Sequence, residues 1–168
     1  MAIYYDIYMD QSLTLNIFEA FHNEWALVTA GDISHHNSMT ISWGAIGTLW
    51  NKDVITIYIK PARYTHTFIE DNDIFVVSFF PKEYRKALGI MGSLSGRDVN
   101  KDNEANLTPI EYKDTTIYKE AHISFICKKI YQNDLDISRI PEEDIKNHYL
   151  EEAPHTMYIG EIIEVVEK

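Results

Sequence analysis

The chain is punctuated by short apolar runs. Trp25–Ala30, Ser38–Trp43, Val54–Ile59 and Ile74–Phe80 are each six or seven residues long, and each stops at or just before a glycine or proline: Gly31, Gly44, Pro61 and Pro81. Val54–Ile59 and Ile74–Phe80 are rich in β-branched or aromatic side chains, which suit a pleated, buried strand. Thr116–Lys129 reads as a fifth strand long enough to bend, and Met157–Val166 as a sixth. Helical spacing is confined to short stretches. One is Thr14–Asn23, where Leu15, Phe18 and Phe21 share a side with Leu13 close by. The others are Tyr64–Asp71, with Phe68 and Ile69 facing inward, and Glu83–Gly92. Irregularly spaced strands with short helices between them do not build a doubly wound sheet, which needs strict strand–helix alternation. The pattern predicts a mainly β chain, a closed or partly closed barrel with peripheral helices.

The 168 residues contain no repeat, low-complexity tract or linker, so one domain over residues 1–168 is expected. No apolar run approaches the roughly 18 residues of a membrane helix. Met1–Asp6 lacks the basic and apolar regions of a signal peptide, so a cytoplasmic location without membrane attachment is expected. Twenty-six acidic against fifteen basic residues leave a net charge of −11. Nucleic acid is therefore not an expected partner, because phosphate backbones require a positive face. A basic protein partner would be favoured at long range, and a local basic pocket remains compatible with one phosphate. The lone cysteine, Cys127, excludes an internal disulfide and reads as a small hydrophobe in a buried strand.

Several chemistries are disfavoured by spacing. Neither Gly44–Gly47 nor Gly89–Gly96 matches a dinucleotide fingerprint or a P-loop. The seven histidines fall in no metal-ligand register, so no metal is expected. The nucleophile elbow of a Ser/His/Asp hydrolase is absent.

Four polar islands interrupt the strands. Asn37-Ser38-Met39-Thr40-Ile41-Ser42-Trp43-Gly44 sets polar groups at a strand start and an aromatic at its end, which suits either a flat heterocycle or an ordinary loop entering a core strand. Lys60-Pro61-Ala62-Arg63-Tyr64-Thr65 leaves a strand, and Arg63, Tyr64 and Thr65 open a helix just after it. A guanidinium, a hydroxyl and first-turn N–H groups make an anion site, and the same residues also make a plain cap with a surface charge. Ser95-Gly96-Arg97-Asp98 with Lys101 is a turn that can wrap a phosphate or lie at the surface with Arg97 paired to Asp98. His155 stands where the last strand begins, and taken alone is a satisfied structural histidine.

In order and separation, these islands, closing on His155-Thr156-Met157-Tyr158-Ile159-Gly160-Glu161-Ile162, resemble the flavin reductase-like, FMN-binding split-barrel family, in particular its flavoredoxin-like branch. The resemblance runs from Trp25 to Val166. It implies a six-stranded, Greek-key split β-barrel with flanking short helices, and a homodimer with FMN near the subunit interface. Asn37, Ser38, Met39, Thr40 and Trp43 match the segment along the isoalloxazine and ribityl chain. Arg63, Tyr64 and Thr65 match the segment near the phosphate. Ser95 and Lys101 match a loop approaching the flavin, and His155 a polar residue at the pocket edge. Asn100 stands where aspartate is common, and Asp134–Glu152 is a variable stretch. The implied function is an oxidoreductase passing electrons between NAD(P)H, FMN and an acceptor. The alternatives are an FMN electron-transfer protein docking with a redox partner, and a flavin-free ligand-binding barrel.

Overall fold

The computed structural model describes residues 15–168. Among the described residues there are nine strands: β1 (Ala26–Asp32), β2 (His35–Ile41), β3 (Gly44–Leu49), β4 (Lys52–Ile59), β5 (Ile74–Phe79), β6 (Pro109–Tyr112), β7 (Thr115–Tyr118), β8 (Ile123–Asp134) and β9 (Thr156–Glu167). Short helices lie between them: α1 (Ile17–Glu19, continued as a wider turn to Glu24), α2 (Tyr64–Asp71), α3 (Arg85–Ser93), α4 (Lys101–Ala105) and α5 (Glu142–His148).

Seven strands form one antiparallel sheet in the order β2-β1-β5-β8-β9-β4-β3, and β6 and β7 form a separate hairpin. The two edge strands, β2 and β3, are consecutive in the chain, joined only through Ser42 and Trp43. A flat seven-stranded sheet would hold its edges ~29 Å apart at the usual strand spacing. Ile41 to Gly44 is three Cα steps, about 11 Å at full stretch. The sheet therefore curls until its edges approach, a partly closed barrel.

Alternation along the strands explains the core. Ala26, Val28 and Ala30 of β1 point into the barrel with Ile55, Ile57, Phe75, Val77, Phe125 and Tyr158. Leu27, between them, points outward and packs beneath α3 on Leu88 and Met91. β5 is covered on both faces too: Phe75, Val77 and Phe79 face inward, and Val76 meets Ile117 and Ile126 outside. Two-sided burial is why these segments read as continuous apolar runs rather than as alternating ones. Cys127 is fully buried in β8, where burial pushes its thiol up out of the reactive range. Register shifts at Ile126/Cys127 and Lys129/Tyr131 bend this long strand so that it pairs with β5 first and continues along β9.

The mainly β split-barrel class is as expected, but the described residues form nine strands rather than six. β3 carries Gly44 and Gly47 among its six residues, which weakens it as a strand by itself, and pairing with β4 makes it one. The expected strand Thr116–Lys129 is broken at Lys119–His122 into β7 and β8. β6 is four residues with a proline at its start and is legible only beside β7. α4 and α5 lie in stretches where no helix was predicted. In the first expected helix, Asn16 caps the Glu19 N–H, so helix begins at Ile17; Leu13 and Thr14 lie outside the described residues. Among the described residues no helix is long and apolar enough to cross a membrane.

Candidate functional site

Three segments far apart in sequence meet beside the exposed edge of β2. Lys60–Ala62 turns the chain out of β4, with the Arg63 N–H donating to the Lys60 carbonyl at 3.0 Å, and α2 starts directly behind it. Arg63 holds the N-cap position but its side chain makes no cap bond; its carbonyl accepts the His66 N–H at 3.0 Å, which leaves the Tyr64 and Thr65 N–H groups at the start of α2 open to an anion. Thr65 is buried, and its hydroxyl accepts from Asn37 Nδ2 at 2.7 Å, locking α2 to β2. The loop after α3 closes the third wall. A Cβ on Gly96 would lie 2.1 Å from Asn37 Oδ1, so only glycine lets this loop approach so closely.

Lys101 reaches in from the start of α4. It is only 7% exposed and donates to the Ser38 carbonyl at 2.6 Å. Burial first, and the neighbouring Arg63 second, depress its ammonium to about 8, against an opposing pull from Asp102. Asp102 is itself engaged. Its oxygens accept from Tyr118 at 2.6 Å and lie 3.0 Å from His36 Nε2, and these bonds outweigh its burial and hold its carboxyl below the ordinary value. Ser38 Oγ, Thr29 Oγ1 and Tyr118 continue the same network behind β2.

Two hollows result. The first, about 160 Å³, is walled by Asn37, Arg63, Thr65, Ser95, Gly96 and Lys101. The second, about 250 Å³, lies farther along β2 between Thr40, Trp43, Lys60 and His155. Met39 and Arg63 border both, so they form one groove. Lys60, Arg63, Arg97 and Lys101 line it, and no aspartate or glutamate does. Lys60 is paired at the rim with Glu152. Arg63, Arg97 and Lys101 have no salt bridge among the described residues. In a chain carrying −11 overall, this concentrates uncompensated positive charge at one place.

The far end of the groove is lined by aromatic rings. Trp43 is 42% exposed, and its ring lies 5.1 Å from those of both His148 and His155. His155 is buried, Nδ1 lying 2.9 Å from the Tyr149 hydroxyl. Burial, then the Lys60 and His148 charges, lower it to about 4, so it is neutral near pH 7. Segment 135–155, including α5, straps over this end, held by Lys60 donating to the His148 carbonyl at 3.2 Å.

The structure thus gathers nearly all the sequence-selected residues around the groove: Asn37, Met39, Thr40, Trp43, Arg63, Tyr64, Thr65, Ser95, Lys101 and His155 line one hollow or the other. Ser38 differs. Its hydroxyl is turned into the network behind β2, and only its carbonyl, through Lys101, serves the groove. Thr40 also has a packing role, donating to the Leu88 carbonyl at 2.6 Å. Arg97 does not pair with Asp98. Its guanidinium lies over the Tyr64 ring of α2, 4.6 Å from the centroid, and reaches the Ala62 carbonyl at 3.5 Å, contacts that hold it away from Asp98. Lys60, His148 and Tyr149 were not singled out from the sequence. Lys60 sits in the same island as Arg63, and that proximity was the available signal.

Ligand-free protein is expected to gain stability as pH rises from 8 to about 10. Unfolded Lys101 keeps its proton to its ordinary value while the folded form releases it near 8, so the unfolded state binds more protons in that window. The penalty is fully present below pH 8. Urea unfolding of wild type and Lys101→Met across this range checks it: methionine should stabilise by about 2 kcal/mol at pH 7, with the gap closing toward pH 10.

Residues 18–168 match the family model described as flavin reductase like domain. The chain belongs to that family. This flavin reductase-like protein is 24% identical over 157 residues to an uncharacterized protein of Archaeoglobus fulgidus, covering 92% of this chain and 78% of the other. Among solved structures it resembles flavoredoxin from Methanosarcina acetivorans, with TM-score 0.69 and 18% identity over 86% of this chain and 68% of that one. Flavoredoxin of Desulfovibrio vulgaris (Miyazaki F) superposes with TM-score 0.67 and 22% identity over 86% and 69%. An FMN-binding protein from Thermus thermophilus does so with 0.68 and 18% over 99% and 80%. At these identities the structural matches establish the fold.

Proposed function

We propose that the groove holds FMN and that the protein is a flavin reductase-like oxidoreductase, exchanging electrons between a reduced nicotinamide and an acceptor. The observation that carries this reading is the carboxylate-free cationic groove in an otherwise acidic molecule. The residues present fit the cofactor. Lys101 is a buried ammonium with a single carbonyl acceptor, Arg63 has no ion pair among the described residues, and α2 opens on the free Tyr64 and Thr65 N–H groups; together they match a phosphate dianion. Family membership and the FMN-binding Thermus neighbour support the same assignment.

Bound FMN would supply hydride and single-electron exchange. The protein binds and orients. Arg63, Lys101 and the Thr65 turn hold the phosphate, with Asn37 fixing Thr65. Met39, Thr40 and Trp43 flank the ring system along the edge of β2. Neutral His155, its Nδ1 engaged by Tyr149, presents its remaining ring nitrogen without adding a charge. The strap covers His155 and one side of Trp43, leaving the tryptophan ring partly open to solvent.

A second reading is an FMN carrier that docks with a redox protein. The net charge of −11 favours it, since a basic partner would be steered in, and two neighbours are flavoredoxins. A homodimer belongs to both readings, and light scattering showing the mass of two chains checks it. Titrating the protein with FMN while following tryptophan emission is the first test: binding should quench Trp43, and Trp43→Phe should lose most of the quenching. Unquenched emission and no retained yellow colour after gel filtration would sink the flavin assignment. Mixing the loaded protein with NADH or NADPH under argon then separates the two readings. Prompt loss of visible absorbance supports a reductase; bleaching only by a reduced protein donor supports a carrier.

A further inference from the structure

A larger hollow, about 580 Å³, lies on the other side of Gly96 from the phosphate end of the groove, between the β1–β2 turn and the loop leading to α4. It shares Asn37, Gly96, Arg97 and Lys101 with that end, so the two spaces meet across one glycine. Its volume falls in the range that encloses a small-molecule ligand, and the proposed single phosphate does not account for it.

Charge gives the second observation. A phosphate dianion is matched by Arg63 and Lys101 alone. Arg97 is a third cation, placed where the two hollows join, fixed over Tyr64 and without an ion pair among the described residues. Of the hollow's two carboxylates, Asp102 is engaged by Tyr118 and His36, leaving Asp98 as the free acceptor. Beyond Arg97 the walls suit a nucleoside. His35 is an exposed flat ring held 4.8 Å from the Phe68 ring, Ile33 and Val99 are exposed aliphatic side chains, and Asp98 and Ser34 offer polar partners for ribose hydroxyls or a base amine.

We propose that this hollow receives the adenosine monophosphate half of a flavin dinucleotide, with its diphosphate crossing Gly96 beneath Arg97, so that the chain binds FAD in preference to FMN. The proposal rests on the flavin reading of the groove and extends it. It is a statement about binding; no bond is made or broken.

The test compares dissociation constants of riboflavin, FMN, FAD and ADP for the full chain. FAD is expected to bind at least tenfold more tightly than FMN. Val99→Trp, which fills the hollow from an exposed position, should abolish that advantage and leave FMN binding within twofold of wild type. Arg97→Ala should weaken FAD at least five times more than FMN, a second readout should the tryptophan variant fold poorly. ADP should displace FAD. If the adenosine instead marks a nicotinamide dinucleotide site, ADP and NADPH will leave FAD bound and FAD will bind no better than FMN, which overturns the proposal. FMN binding without an FAD advantage overturns it while the flavin reading survives. Failure of every flavin to bind removes both.

Discussion

Replacing Arg63 with alanine and Lys101 with methionine in one protein is expected to weaken FMN binding by about 10²- to 10⁴-fold. Each removes a charge-assisted contact of about 1.5–3 kcal/mol, and tenfold in affinity is about 1.4 kcal/mol. The two cations are neighbours, each raising the cost of the other's charge, so their contributions will not be independent. Riboflavin, which lacks the phosphate, should bind the double variant as it binds wild type. Isothermal titration of both ligands against both proteins measures the difference directly. Equal losses for riboflavin and FMN would mean that these side chains shape the groove rather than bind phosphate. A proton signature accompanies the effect. Anion binding favours charged Lys101 and raises it from about 8, so between pH 8 and 9 wild-type FMN binding should take up protons, detectable as a buffer-dependent heat that Lys101→Met lacks.

Gly160→Val is expected to destabilise the fold by about 3–5 kcal/mol, a large share of the stability of an ordinary domain. Gly160 lies in β9 opposite Ile55 and Lys129, and a Cβ there would sit 2.5 Å from Phe75 Cζ and 2.7 Å from Cys127 Cβ. Phe75 and Cys127 are both buried in the barrel interior, so neither can move aside cheaply. Urea denaturation followed by tryptophan emission gives the value. Phe75→Leu placed beside Gly160→Val should recover part of the loss by vacating the ring's far end. A fully stable Gly160→Val protein would show that β9 shifts readily at its bulge, contrary to the packing described.

The local physics was legible from residues alone. Val54–Ile59 and Ile74–Phe80 are apolar and β-branched enough to be strands in any context, and Tyr64–Asp71 sets Phe68 and Ile69 three and four residues after Thr65, the spacing by which a helix buries one side. The polar islands were visible because they interrupt apolar strands. What sequence spacing concealed were elements whose stability comes from a partner. β3 has glycines where a strand former would stand and exists through β4; β6 exists through β7; α5 is short and almost entirely exposed.

The site divides in the same way. That Arg63 and Thr65 open a helix follows from Pro61 and the helical spacing behind it. That Lys101, nearly forty residues on, becomes a buried ammonium beside Arg63 depends on Gly96 fitting against Asn37 and on Ser38 turning its hydroxyl away from its carbonyl. No residue pattern announces Lys60 and His148 meeting over Trp43, or a second hollow behind Gly96. By itself the sequence determined a β-rich barrel, its buried runs and the polar segments between them, because each depends on neighbours a few residues away. Tertiary structure alone decided which segments share a groove and which charges are left uncompensated within it. Those outcomes follow from closing a seven-stranded sheet until β2 and β3 approach, which depends on all its strands together.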